Sequence, residues 1–228
     1  NRLFTLSPED FARLNPNTRT CPVFRTRQDA DLTRAIYQHV PILWQENPEK
    51  NPWGVRFLLM FMMNTDSGLF RTRRDLEGQG FQLVGNRFVK GKELYLPLYE
   101  AKMFWHYDHR FATFAGQDTR DVEPDEKKNP TTLPLPRYWV AREEVETRLK
   151  EKGWERDWLL GFRDIARSTD ERTAIFSILP KVGVGHTAPL LQTAQNAPQS
   201  LTLISNGTSL VLDFVTRQKV GGTHLTFH

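Results

Sequence analysis

Apolar side chains recur at helical spacing over the first forty residues and at strand spacing beyond residue 55, so the chain reads as helices followed by a β-rich region. Ser7-Pro8-Glu9-Asp10 combines an N-cap, a proline at the first helical position and an acidic first turn, predicting a short helix that stops before Pro16. Leu32, Ile36 and Val40 repeat every four residues, which predicts a second helix starting near Asp29 or Asp31 and ended by Pro41. The Pro/Asn-rich stretch Glu46 to Pro52 is a loop. The apolar run Phe57 to Met62 suggests a strand buried on both faces. Phe81 to Val84 and Arg87 to Val89 flank Gly85-Asn86, a hairpin signal, and Leu94 to Leu98 and Phe111 to Phe114 are further strands.

Gly116 to Pro136 is polar, charged and proline-rich, and is expected to be a long exposed loop or subdomain boundary. Glu143 to Lys152 predicts a charged helix closed by Gly153. Strands are expected at Trp158 to Ala166 and Thr173 to Leu179, then a glycine-rich turn at Gly183 to Thr187. A mostly buried helix is expected over Thr208 to Arg217, with Asn206 as its cap, and the chain stops at His228 inside a strand-like pattern. The class is α+β, with mixed, mainly antiparallel twisted sheets and peripheral helices. Two parts are expected, residues 1–120 with helices and a hairpin-rich sheet, and residues 121–228.

Composition is that of a globular chain large enough to bury a core: 228 residues, 39% hydrophobic and 25% charged. The net charge is only +4, but 17 of the 31 basic and 13 of the 27 acidic side chains fall in residues 1–120, so any electrostatic footprint is local. The lone Cys21 excludes a disulfide framework and multi-cysteine zinc sites; it is expected to be a buried thiol in a reducing compartment. No run is long enough to cross a bilayer and no signal peptide is visible, so a cytoplasmic location is expected. Asn1 in place of a methionine and the ending at His228 lead to the expectation that both ends are cuts in a longer polypeptide. Trp105, Trp139, Trp154 and Trp158 lie beside apolar residues, which favours core packing, while one exposed aromatic could support a displaced base.

Methyl transfer to adenine needs a Gly-rich turn for S-adenosylmethionine and an Asn/Asp-Pro-Pro-aromatic loop around the flipped base, and neither is present. Asn15-Pro16, Asn47-Pro48, Asn51-Pro52 and Asn129-Pro130 lack the second proline and are read as turns. A Mg²⁺-dependent nuclease is the sharpest catalytic alternative. Glu100 and Lys102 supply a Glu-x-Lys pair, with Asp66 or Asp75 as the upstream carboxylate and the lysine activating water. The alternative for Glu100 and Lys102 is a surface ion pair on one strand face. His106-Tyr107-Asp108-His109 offers metal-ligand types without further carboxylate spacing. Asp108 suits a hydrogen-bonded structural role, with His109 and Arg110 facing solvent or DNA.

Basic residues carry the better case. Arg71, Arg73, Arg74, Arg87, Lys90 and Lys92 surround the expected hairpin, where cationic tips could meet phosphates; a solvated charged edge is the alternative. Arg163, Arg167, Arg172, Lys181 and His186 form a second group on two strands and their loops. Arg163 and Arg167 share one strand face and have Asp164, Asp170 and Glu171 as alternative partners.

Leu96-Pro97-Leu98-Tyr99-Glu100-Ala101-Lys102-Met103, followed by Tyr107-Asp108-His109-Arg110, resembles a signature found after the catalytic domain of large bacterial adenine-specific methyltransferases of the type IIG-like restriction-modification and phage-defence kind. Arg137 to Val140, Gly161 to Arg167, Glu171 to Thr173, Ile178 to Lys181 with Gly185-His186, and Ser209 to Phe214 with Arg217 to Lys219 and Gly221-Gly222 follow in the family's order. They cover most of the chain. The resemblance implies a target-recognition domain that reads double-stranded DNA for a catalytic methyltransferase domain of the same polypeptide. S-adenosylmethionine then belongs to the parent protein, and this region holds no cofactor or metal. Lys181, His186, Arg172, Lys219, Arg163, Arg167, His109 and Arg110 are the candidate DNA contacts. A docking domain of a phage-defence complex is the third possibility.

Overall fold

The computed structural model describes residues 4–225, so the strand expected around His228 lies outside the described residues. In chain order the elements are α1 (Pro8–Leu14), α2 (Arg27–His39), β1 (Arg56–Leu58), α3 (Arg73–Gly78), β2 (Gln82–Val84), β3 (Arg87–Lys90), β4 (Glu93–Tyr99), β5 (Ala112–Ala115) and β6 (Asp118–Asp121). They continue with α4 (Pro124–Lys128), β7 (Trp139–Ala141), α5 (Arg142–Glu151), β8 (Trp158–Phe162), β9 (Phe176–Pro180), β10 (Gly183–Val184), β11 (Leu190–Gln192), α6 (Ala197–Gly207) and α7 (Leu210–Lys219). The fold class is α+β, with mainly antiparallel sheets. Among the described residues no helix is long and apolar enough to cross a membrane.

Contacts divide the chain into two interleaved units. The first gathers the residues up to Arg56, Ile165–Ala174, and those from Thr193 on. Its helices start where side chains satisfy the free N–H groups: Ser7 with Asp10, Thr26 with Asp29 and Asn196 with Gln199 form reciprocal capping boxes for α1, α2 and α6. The α7 helix is capped by Ser209, three residues beyond the expected Asn206, because the Ser209 hydroxyl accepts from Leu212 N–H. Leu14, Ala30, Ile204 and Val215 are buried. Cys21 is exposed, not buried. The next residue, Pro22, is buried instead, in a stretch outside the helices and strands.

The second unit spans Phe57–Asp164 and Ile175–Gln192. One sheet has the order β1-β11-β8-β9 and another the order β10-β4-β3-β2 with β7 also on β4; β5 and β6 form a separate hairpin. Leu98, Tyr99, Met103, Phe104, Leu159 and Leu179 are 0% exposed in a core that both sheets share with α5. The predicted hairpin forms as β2–β3, with Val84 opposite Arg87 and Gly85 at φ +63°, the conformation a tight two-residue turn demands and glycine adopts without penalty.

Three expectations change. The run Phe57 to Met62 is not one strand: β1 ends at Leu58, Leu59 is 42% exposed, and Phe61 joins a separate parallel bridge to Gly185. Gly116 to Pro136 is not an open loop. It holds β6 and α4, buries Val122, Pro134 and Pro136, and is bound through its carbonyl groups by distant side chains. Gly183 to Thr187 is not simply a turn, because Gly183 and Val184 form β10, parallel to β4. Glycine is needed at 183 for close approach: a Cβ there would sit 2.5 Å from Val140 Cγ1 and 3.2 Å from Leu98 Cδ1.

Candidate nucleic-acid interface

Most of the cations picked out in the sequence are bonded within their own unit. In the first unit, Asp213 on α7 is a buried hub. Its Oδ1 accepts from Thr173 N–H (2.7 Å) and Ala174 N–H (2.9 Å), and its Oδ2 from Arg217 Nε (2.8 Å), with Arg172 Nε at 3.4 Å. Burial alone would raise this carboxyl, but the bonds from Ala174, Arg217 and Thr173 outweigh it and hold it below its ordinary value. Arg172 also donates to the Thr208 carbonyl, and Arg217 to those of Ser168 and Glu171. Lys219 donates to the Leu14 carbonyl at 2.7 Å with its amine 4.7 Å from the centre of the Tyr37 ring, and burial pushes its pKa down to about 8. Of this group Arg167 keeps an exposed side chain, while its backbone N–H is bound by Asp170.

In the second unit, Arg163 donates from Nε and Nη2 to the Phe104 carbonyl (3.0 and 2.6 Å) and lies over the Trp105 and Phe111 rings. Burial pushes it down to about 10. Because β8 ends at Phe162, the strand face expected to carry both Arg163 and Arg167 does not exist. Arg110 is half-buried, and its guanidinium donates to the carbonyls of Lys127, Asn129 and Thr132. His109 is half-buried, and burial, with Arg110 beside it, pushes it down. Lys181 sits 3.9 Å from exposed Asp157. His186 follows β10; its Nδ1 accepts from Met63 N–H (3.3 Å), so the neutral ring carries its proton on Nε2.

The carboxylates considered for Mg²⁺ are dispersed. Glu100 is bound by Arg137 (3.1 Å), Asp66 by Arg148 (2.9 Å) and Met62 N–H (2.7 Å), and Asp75 closes the capping box of α3 with Thr72. Ala101–Met103 form a 3-10 turn, so Glu100 and Lys102 do not share a strand face, and Glu100 pairs with Arg137 instead. Among the described residues, no group of three or more His, Cys, Asp or Glu side chains is placed to hold a metal ion. His106 to Arg110 do not form a strand: Trp105 and Asp108 pair across a tight turn, Tyr107 at its tip has φ +56°, and Asp108 is bound by Lys127 (2.7 Å) and Arg110 N–H (2.8 Å).

The cationic group around the hairpin is different. Leu76 of α3, Phe81, Phe88 of β3 and Trp139 of β7 form one small core, and the Trp139 indole donates to the Asn86 carbonyl at 2.8 Å. The segment Arg71 to Lys92 holds six Lys/Arg and two Asp/Glu. Arg71, Arg73 and Lys90 are occupied, by the Gly68 and Phe70 carbonyls, by Glu77 and by the Gln79 carbonyl. Arg74, Arg87 and Lys92 are exposed and have no ion-pair partner among the described residues. No family model, curated protein or solved structure matches the chain. What the geometry offers is the edge hairpin of the five-stranded sheet, backed by α3, with an excess of positive charge and three exposed cationic tips outside the ion pairs.

Proposed function

We propose that this chain is a DNA sequence-recognition module of a restriction-modification adenine methyltransferase, which positions duplex DNA for a catalytic domain outside it. The observation that carries the reading is the β2–β3 edge hairpin backed by α3, whose Arg74, Arg87 and Lys92 are exposed and outside every ion pair among the described residues, while most neighbouring cations are bound internally. Phosphates are the natural partners of such tips, since neutralising them releases condensed counterions. The ordered motifs resembling the methyltransferase family support the choice of parent. In this reading S-adenosylmethionine belongs to the catalytic domain, and the module works in the cytoplasm.

Fluorescence anisotropy with a labelled duplex at low salt tests the reading. The wild-type chain binds weakly and more weakly as salt rises. Arg74→Ala, Arg87→Ala and Lys92→Ala each weaken binding across sequences and reduce the slope of log K against log [salt] by about 1. Absence of duplex binding at low salt, both alone and joined to the catalytic domain, would refute it. Plasmid incubated with the chain and Mg²⁺ stays uncut; cleavage abolished by Glu100→Ala would favour the nuclease instead.

A further inference from the structure

We propose that Tyr107 is a stacking platform for an unpaired nucleobase, an inference that rests on the DNA-recognition reading above. Trp105 and Asp108 exchange both backbone hydrogen bonds (2.8 and 3.1 Å), closing a turn with His106 and Tyr107 at its tip. Tyr107 occupies the third position with φ +56°, a left-handed conformation that glycine or asparagine fills more cheaply than a tyrosine. Its side chain is 65% exposed, so core packing does not explain why an aromatic stands there. An observed outlier of this kind is what sites of function retain.

Everything beneath the turn is braced. The Trp105 ring stacks on Phe111 (5.3 Å, 27°), and Arg163 covers both rings while holding the Phe104 carbonyl. Lys127 neutralises Asp108, so the turn does not offer an uncompensated carboxylate to a phosphate backbone. Arg110 then ties the turn to the 129–134 loop through the Asn129 and Thr132 carbonyls, and the same loop is held at Pro134 by Asn86 of the hairpin turn. One loop therefore links the tyrosine turn to the residue preceding Arg87. An exposed aromatic on a braced turn, tied through one loop to the cationic edge hairpin, suits single-stranded and displaced bases, the ring taking the base face and the cations the phosphates.

The test uses the full chain and two duplexes of one sequence, one fully paired and one carrying 2-aminopurine as a single-base bulge. Wild-type protein prefers the bulged duplex and quenches its fluorescence. Tyr107→Phe keeps both effects, whereas Tyr107→Ala and Tyr107→Gly lose about 5- to 100-fold in affinity for the bulged duplex and lose the quenching, with paired-duplex affinity little changed. Tyr107→Gly relieves the left-handed backbone, so its melting temperature is no lower than wild type, which separates loss of stacking from loss of fold. The inference is overturned if Tyr107→Gly binds and quenches as wild type does. If wild type binds neither duplex at low salt, the recognition reading fails along with it, and that failure is told apart by the absence of any binding.

Discussion

Asp213→Ala should unravel the attachment of α7 to the 167–174 segment. The substitution leaves two backbone N–H groups, on Thr173 (1% exposed) and Ala174 (0% exposed), without the acceptor at 2.7 and 2.9 Å that each now has. Each orphaned buried donor costs about 1–3 kcal/mol. It also removes the counter-charge of Arg217 and Arg172, and breaking a buried pair from one side costs about 3–5 kcal/mol. These terms share one carboxylate and do not add, so about 4 kcal/mol is expected. Asp213→Asn separates them. Its amide oxygen can still accept from Thr173 and Ala174 while the charge is gone, and about 2 kcal/mol is expected. Urea denaturation at neutral pH measures both, and hydrogen exchange at the Thr173 and Ala174 amides locates the effect. Because the folded Asp213 carboxyl titrates below its unfolded value, its stabilisation is present above the unfolded pKa and lost as pH falls through the folded one. The Asn variant should lack that part of the acid dependence. A loss under about 0.5 kcal/mol for Asp213→Ala, the range of an ordinary surface change, would refute the hub.

Gly183→Ala should cost about 1–3 kcal/mol by overpacking, since the new methyl meets Val140 Cγ1 at 2.5 Å and must push β10 from β4 or displace Val140; a melting temperature equal to wild type would show that the parallel pair does not need the close approach. Lys219 has a folded pKa of about 8 against an unfolded value near ~10.4, so between them the unfolded chain binds more protons and stability rises with pH, by up to about 3 kcal/mol. Urea midpoints from pH 7.5 to 10 should show this rise in wild type but not in Lys219→Met, and parallel curves would exclude it.

Local signals were readable where chain chemistry and structure coincide. Ser7-Pro8-Glu9-Asp10 and Gly85-Asn86 describe a cap and a turn that depend on neighbours in sequence, and both form. Helix α6 carried the same kind of signal in Asn196, Pro198 and Gln199, but its apolar stripe is thin, and a reading led by periodicity passes over it. Gly183 illustrates the opposite case: a glycine near other glycines suggests a turn, whereas its use is to admit Val140, a residue 43 positions earlier. The division into interleaved units was likewise beyond the linear pattern, because it depends on segments such as Ile165–Ala174 returning to helices far along the chain. At the candidate interface, charge was legible and its use was not. Arg110, Arg163 and Lys219 spend their donors on backbone carbonyls, as Arg217 does in part, and a carbonyl has no sequence signature.

Most of the motifs behind the family resemblance fall within one unit, and Gly161 to Arg167 runs from one into the other. Leu96 to Met103, Arg137 to Val140 and Ile178 to His186 meet around β4 and β10, while Glu171 to Thr173 and Ser209 to Lys219 meet around Asp213. Side chains in these segments hold strands together, cover carbonyls or neutralise one another, which is the work of a scaffold. On the DNA-recognition proposal, if such segments are what a family shares, target choice would come from exposed side chains outside the scaffold's ion pairs, and Arg74, Arg87 and Lys92 are of that kind. Tyr107 stands apart because it lies inside a motif and yet projects outward at 65% exposure. A role common to every target, such as supporting a base removed from its stack, fits that position better than reading any particular sequence does.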